Sequence, residues 1–224
     1  QLSPDTRAGN WDACAGYHYD DSTLKGFSHT HLSGTGCIDL GDVLFRPTTQ
    51  KPDLTAETLC LPAAFSHKEE EASAGYYSVV LKEEGIKVEL TATAHAGVHR
   101  YTFPAGKEAA VIIDLAHLLD NEHIYEATLE QTSDYEIAGM RRTRGWTDNQ
   151  YVYFVAQFSK PFKTVDFVQE RKPVATQAKL TGTHLQACLA FDNSDGEPLV
   201  AKVGLSVVCL LYTSPSPRDR TRSR

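Results

Sequence analysis

Residues 10–19 read Asn-Trp-Asp-Ala-Cys-Ala-Gly-Tyr-His-Tyr and place Trp11, Tyr17 and Tyr19 beside Asp12 and His18. Flat rings next to hydrogen-bonding side chains are what a sugar site requires. A ring covers the apolar C–H face of a pyranose while carboxylates and imidazoles hold its hydroxyls. Aromatic clusters of this kind also build cores, and both readings stand at this point. A second stretch, 26–36, reads Gly-Phe-Ser-His-Thr-His-Leu-Ser-Gly-Thr-Gly. Two-residue spacing puts His29 and His31 on one side of an extended backbone, and an H-x-H pair of that kind can bind zinc. No third ligand follows at an obvious spacing, because Asp39 and Asp42 fall in a separate turn.

Other chemistries find little support. Ser33-Gly34-Thr35-Gly36 permits close backbone approach but lacks the Lys of a phosphate loop. There is no G-x-S-x-G elbow for nucleophilic catalysis. No pair of acids stands out for glycosidic-bond cleavage, which needs two carboxyl groups across one cleft. Asp20 with Asp21, Glu69 to Glu71, and Glu83 with Glu84 read as solvated faces or turns. Arg141, Arg142 and Arg144 precede Trp146 in a short basic-aromatic run. The arginines read as a packed β-turn, and Trp146 stays open to either a ligand or a packing role.

The elements that must position these residues are strands. Tyr76–Leu81 is aromatic and β-branched, and Gly85 closes the turn after it. From residue 86 to 94, Ile86, Val88 and Leu90 alternate with Lys87, Glu89 and Thr91, the period of a strand with one wet face. Further strands fit 98–103, 110–115, 125–131, 135–142, 151–158, 164–169, part of 177–191, and 199–208. Helical pattern is thin, a turn near 115–120 at most. Residues 1–50 are rich in Gly, Asp, Ser, Thr and His, and predict long ordered loops with short strands such as 43–46. Residues 48–58 predict a surface connector. The fold class is therefore all-β, an antiparallel β-sandwich with long N-terminal loops; a barrel is the structural alternative.

Composition narrows the function. The 224 residues carry 22 Lys and Arg against 29 Asp and Glu, a net charge of −7. That balance argues against a general nucleic-acid binder, and no apolar run is long enough for a membrane helix. Cys14, Cys37, Cys60 and Cys188 form no C-x-x-C pair, so they read as reduced structural thiols. Composition changes abruptly after Val208. Residues 209–224 are Pro-, Ser- and Arg-rich and resemble a translated sequencing adapter, which divides the chain into a domain at 1–208 and a tail at 209–224. Four of the arginines and one aspartate lie in that tail, so the body alone carries −10.

Taken together, Gln1-Leu2-Ser3-Pro4-Asp5-Thr6-Arg7, Gly16-Tyr17-His18-Tyr19-Asp20-Asp21-Ser22 and the long motif 26–36 resemble the N-terminal domain of family-92 glycoside hydrolases. Later blocks agree, among them His99-Arg100-Tyr101-Thr102-Phe103-Pro104, Arg144-Gly145-Trp146 and Phe158-Ser159-Lys160-Pro161-Phe162. The resemblance implies part of a calcium-dependent, inverting exo-α-mannosidase: a sandwich docked on a C-terminal (α/α)6 domain that carries the acid, the base and most of the calcium site. It implies a mannose-containing glycan as substrate, that helical domain as partner, and a periplasmic, outer-membrane-anchored or secreted location. Trp11, Asp12, His18, His29 and His31 are then expected to line or brace the mannose pocket. The alternative is a stand-alone, lectin-like carbohydrate-binding sandwich.

Overall fold

The computed structural model describes residues 2–7, 11–32, 36–56, 59–120, 122–174 and 179–210. In chain order the strands are β1 (Ser3–Asp5), β2 (Thr23–Leu24), β3 (Gly26–Ser28), β4 (Leu44–Thr48), β5 (Ala63–Ala64), β6 (Glu70–Ser73), β7 (Tyr76–Leu81), β8 (Ile86–Ala92) and β9 (Ala96–Thr102). They continue as β10 (Ala109–Asp114), β11 (His123–Ser133), β12 (Glu136–Arg144), β13 (Gln150–Phe158), β14 (Phe162–Gln169), β15 (Lys172–Val174), β16 (Lys179–Gly182), β17 (Leu185–Phe191) and β18 (Leu199–Ser206).

These strands form an antiparallel sandwich. One sheet has the order β1-β3-β4-β10-β17-β14-β15, the other β16-β11-β12-β13-β18-β9-β8-β7-β6, and β2 pairs with β5 alongside. The core between the sheets takes Phe45, Val111 and Leu189 from the first and Val88, Tyr101, Leu129 and Phe154 from the second. Side chains alternate across each strand, so the other face of β4, β10 and β17 carries Leu44, Ile112 and Cys188. That face is covered by Leu54, Leu59 and Cys60 of the segment leading from β4 to β5. The expected surface connector is therefore also a lid over a second apolar layer. This explains why β10 reads as an unbroken apolar run: both of its faces are buried.

Several expectations need correction. No helical turn forms at 115–120; Asp114 Oδ1 accepts from the Ala116 N–H at 2.7 Å and turns the chain instead. Arg141 and Arg142 lie in β12 rather than in a turn. Glu84 is not solvated, since its carboxylate accepts from Arg46 Nη1 at 2.8 Å and Thr48 Oγ1 at 2.7 Å. Glu70 likewise accepts from the hydroxyls of Tyr17 and Tyr77, at 3.0 and 2.7 Å. Gly85, at φ +70°, sits where the turn needs it. Ser33, Gly34 and Thr35 of the glycine-rich motif, Asn10, and the tail from 211 onward lie outside the described residues.

Candidate saccharide site at the loop end of the sandwich

The starts of β4, β11 and β13 and the ends of β10 and β12 meet at one end of the molecule, where buried polar residues tie their loops together. Asp5, the last residue of β1, is fully buried. Its Oδ1 accepts from His31 Nε2 and its Oδ2 from His117 Nε2, each at 2.9 Å. Burial alone would raise the Asp5 carboxyl; the hydrogen bonds from His117 and His31 outweigh it and hold the group at about 2. Ser28 Oγ shares His31 Nε2 at 2.8 Å.

Around this centre the loops lock in sequence. The carbonyl of Gly16 accepts from the N–H groups of Thr6 and Arg7. Gly16 itself has φ +87°, and a Cβ there would stand 2.4 Å from Asp5 Oδ1, so only glycine lets this loop lie on the carboxylate. Leu119 is positioned against both Gly16 and Gly41. Asp42 Oδ2 accepts from Thr30 Oγ1 at 2.6 Å, and Thr30 Oγ1 accepts from the Asp42 N–H at 2.8 Å. Arg141 Nε stands 3.1 Å from Asp42 Oδ1, and Arg141 Nη1 donates to the His117 carbonyl at 2.5 Å. Asp39 Oδ2 accepts from the Trp146 N–H at 2.9 Å, with its other oxygen on the Leu40 N–H at 2.8 Å. Leu40 and Val43 hold left-handed φ values of 76° and 57°. Positive φ at a β-branched valine is a strained conformation of the kind that clusters at functional sites.

Two indoles project from this braced end. Trp11 begins a short 3-10 turn, Trp11–Ala13, and is 72% exposed; Trp146 caps the β12–β13 hairpin and is 63% exposed. Asp12 is exposed beside Trp11. His18 is half-buried: its N–H donates to Thr6 Oγ1 at 2.8 Å, and its Nδ1 accepts from the Asp20 N–H at 3.2 Å. These residues present ring faces and polar groups to solvent on a rigid base, as a sugar-binding surface must.

His29 and His31 face inward and engage different partners. His29 Nδ1 lies 2.6 Å from the Val43 carbonyl, so it is a donor and Nε2 is an acceptor. His99 Nε2 therefore donates to it across 2.8 Å, and His99 Nδ1 accepts from the Tyr101 hydroxyl at 2.8 Å. With both imidazoles neutral, the hydrogen bonds run from the Tyr101 hydroxyl through His99 and His29 to the Val43 carbonyl. Burial drives His29 down to about 4 and His99 well below the ordinary histidine value. Among the described residues no three His, Cys, Asp or Glu side chains are placed to hold a metal ion.

Sequence reasoning gave Asp5 and His117 no role, set Asp39 and Asp42 aside as a separate turn, and read Arg141 as part of a packed turn. A signal existed for Arg141: it shares a face of β12 with core residue Ile137, so period-two alternation sends it inward. His117 and Asp5 carry no such signal, being 112 positions apart.

Residues 1–206 match the N-terminal domain of glycosyl hydrolase family 92. A family GH92 alpha-mannosidase from Bacteroides thetaiotaomicron, solved in complex with mannoimidazole, is 38% identical with a TM-score of 0.87 over 93% of this chain and 29% of its own. A GH92 inverting mannosidase of the same organism shares the fold at 23% identity and TM-score 0.78, over 100% of this chain and 29% of its own. An uncharacterized secreted glycosidase of Arthroderma benhamiae is 26% identical over 131 residues, 52% of this chain and 16% of its length. The chain thus spans less than a third of each of these proteins.

Proposed function

Because the chain belongs to the glycosyl hydrolase family 92 N-terminal domain family, we propose that it is the sandwich half of an α-mannosidase, closing the pocket for a terminal mannose. The observation that carries this reading is the pair of exposed indoles, Trp11 and Trp146, held on a loop end braced by buried carboxylates. Trp11 stacks on the apolar face of the sugar, and Asp12 and His18 bind its hydroxyls. His29 and His31 act behind them, fixing the loops rather than touching substrate. The acid and the base of an inverting displacement, separated by about 6.5–9.5 Å to admit a water, belong to a helical (α/α)6 partner domain. Calcium is assigned to that partner too, since Asp5, His31 and His117 are already committed to one another. Export to the periplasm, the outer membrane or the medium accords with the secreted relative. A stand-alone lectin gains nothing from these observations.

Trp11→Ala in the full-length glycosidase is expected to lower kcat/KM on a terminal α-mannoside at least tenfold, about 1.4 kcal/mol of transition-state binding. Thermal unfolding should be unchanged, because the side chain is exposed. An unaltered kcat/KM in a normally folded variant would remove Trp11 from the pocket.

A further inference from the structure

On β12 the alternation that sends Arg141 inward sends Arg142 out, onto the outer face of the nine-stranded sheet. There its guanidinium carbon lies 5.0 Å from the Tyr125 ring centre on β11 and 5.5 Å from that of Tyr151 on β13. Arg142 Nε donates to Asn149 Oδ1 at 2.7 Å, which pins it between the two rings. Tyr153 is two residues beyond Tyr151 on the same strand, and its ring lies within 8° of parallel at 6.2 Å. The ladder Tyr125, Arg142, Tyr151, Tyr153 is a row of partly exposed side chains on three adjacent strands. It takes no part in the loop-end network.

Its electrostatics identify the ligand class. Glu126 is the cross-strand partner of Arg142, and Arg144 and Asp148, at and just after the end of β12, are both exposed and opposite in formal charge. Formal charge over the patch cancels, which disfavours a polyanion. Parallel aromatic rings beside a fixed guanidinium and an amide suit a neutral polyhydroxylated chain, with C–H groups over rings and hydroxyls on the polar atoms. We propose that this face is an accessory saccharide-binding surface that holds a neutral mannose-containing chain while its terminus occupies the loop end. The identity of the sugar rests on the mannosidase reading above; the presence of a saccharide site rests on the ladder alone.

Native affinity electrophoresis of the full 224-residue chain in gels containing unphosphorylated α-mannan tests it, with dextran gels as control. The expected result is retardation by mannan only, lost in Tyr151→Ala/Tyr153→Ala. Arg142→Gln, at a half-buried surface position, is the second variant should the tyrosine pair impair folding by circular dichroism; it should weaken retardation at least fivefold. No retardation of the wild-type chain, or retardation untouched by the folded ladder variants, overturns the proposal while leaving the Trp11 kinetic test standing. Equal retardation by dextran overturns the mannose assignment. Loss of retardation when the chain is joined to a helical catalytic domain makes the face an interdomain surface and also overturns it.

Discussion

The buried histidines make a pH-dependent contribution to stability whose sign follows from their environment. His29, at about 4 in the folded chain against an ordinary 6.5, is held neutral by burial, and His99 is driven the same way. A group whose protonated form is disfavoured in the fold contributes fully above its unfolded value and loses that contribution as pH falls toward its folded value. The unfolding free energy should therefore decline between pH 6.5 and 4, by of order 3 kcal/mol from His29 alone, and the denaturation midpoint with it. Asp5 adds a separate, more acidic window: its contribution is complete above 3.8 and disappears as pH drops to about 2. Guanidinium titrations at a series of pH values measure both. A midpoint flat from 6.5 to 4 would contradict the neutral Tyr101–His99–His29 chain.

Strand β12 shows how one element serves two surfaces. Arg141 neutralises buried Asp42 and anchors the His117 carbonyl, while Arg142, one residue on, lies between tyrosines on the opposite face. Truncating the inner arginine leaves a buried carboxylate without its cation. Arg141→Ala should therefore cost about 3–5 kcal/mol in chemical denaturation, and Arg142→Ala distinctly less. Equal, small losses for both would mean that Asp42 is satisfied without Arg141. The β12–β13 turn has a similar sensitivity. Gly145 has room for no Cβ because Asp39 Oδ1 would lie 2.1 Å away, so substitution there must displace the carboxylate that orients Trp146.

At the scale of the whole molecule the sandwich is held by apolar packing between its two sheets, and the site is an end product of that packing. Phe154 is fully buried in the interior, and Gly139 opposite it is required because a Cβ would meet the ring at 2.6 Å. Phe154→Ala should lose about 3–5 kcal/mol, with a lowered melting midpoint. Loop-end geometry should deteriorate along with it, since β12 and β13 carry both Arg141 and Trp146. The outer layer of Leu54, Leu59, Cys60, Ile112 and Cys188 gives the seven-stranded sheet a second protected face. Burial disfavours its thiolates, pushing Cys188 up to about 11 and Cys60 well above the ordinary thiol value.

Local pattern alone sufficed for most strands from Tyr76 onward, though not for β15 or the break between β16 and β17, and for the turn at Gly85 and the all-β class, because alternation and turn chemistry depend on neighbouring residues. It also singled out Trp11, Asp12 and His18 as residues suited to a sugar, since ring and hydrogen-bonding types are legible without coordinates. Only the tertiary structure decided that His29 and His31 face different partners, that Glu84 is buried and that Arg141 is an inward strand residue. The Asp5–His117 bond and the His29–His99 bond join positions 112 and 70 residues apart. Contacts of that span arise from sheet order, and sheet order is settled by the packing of the whole chain rather than by any segment of it.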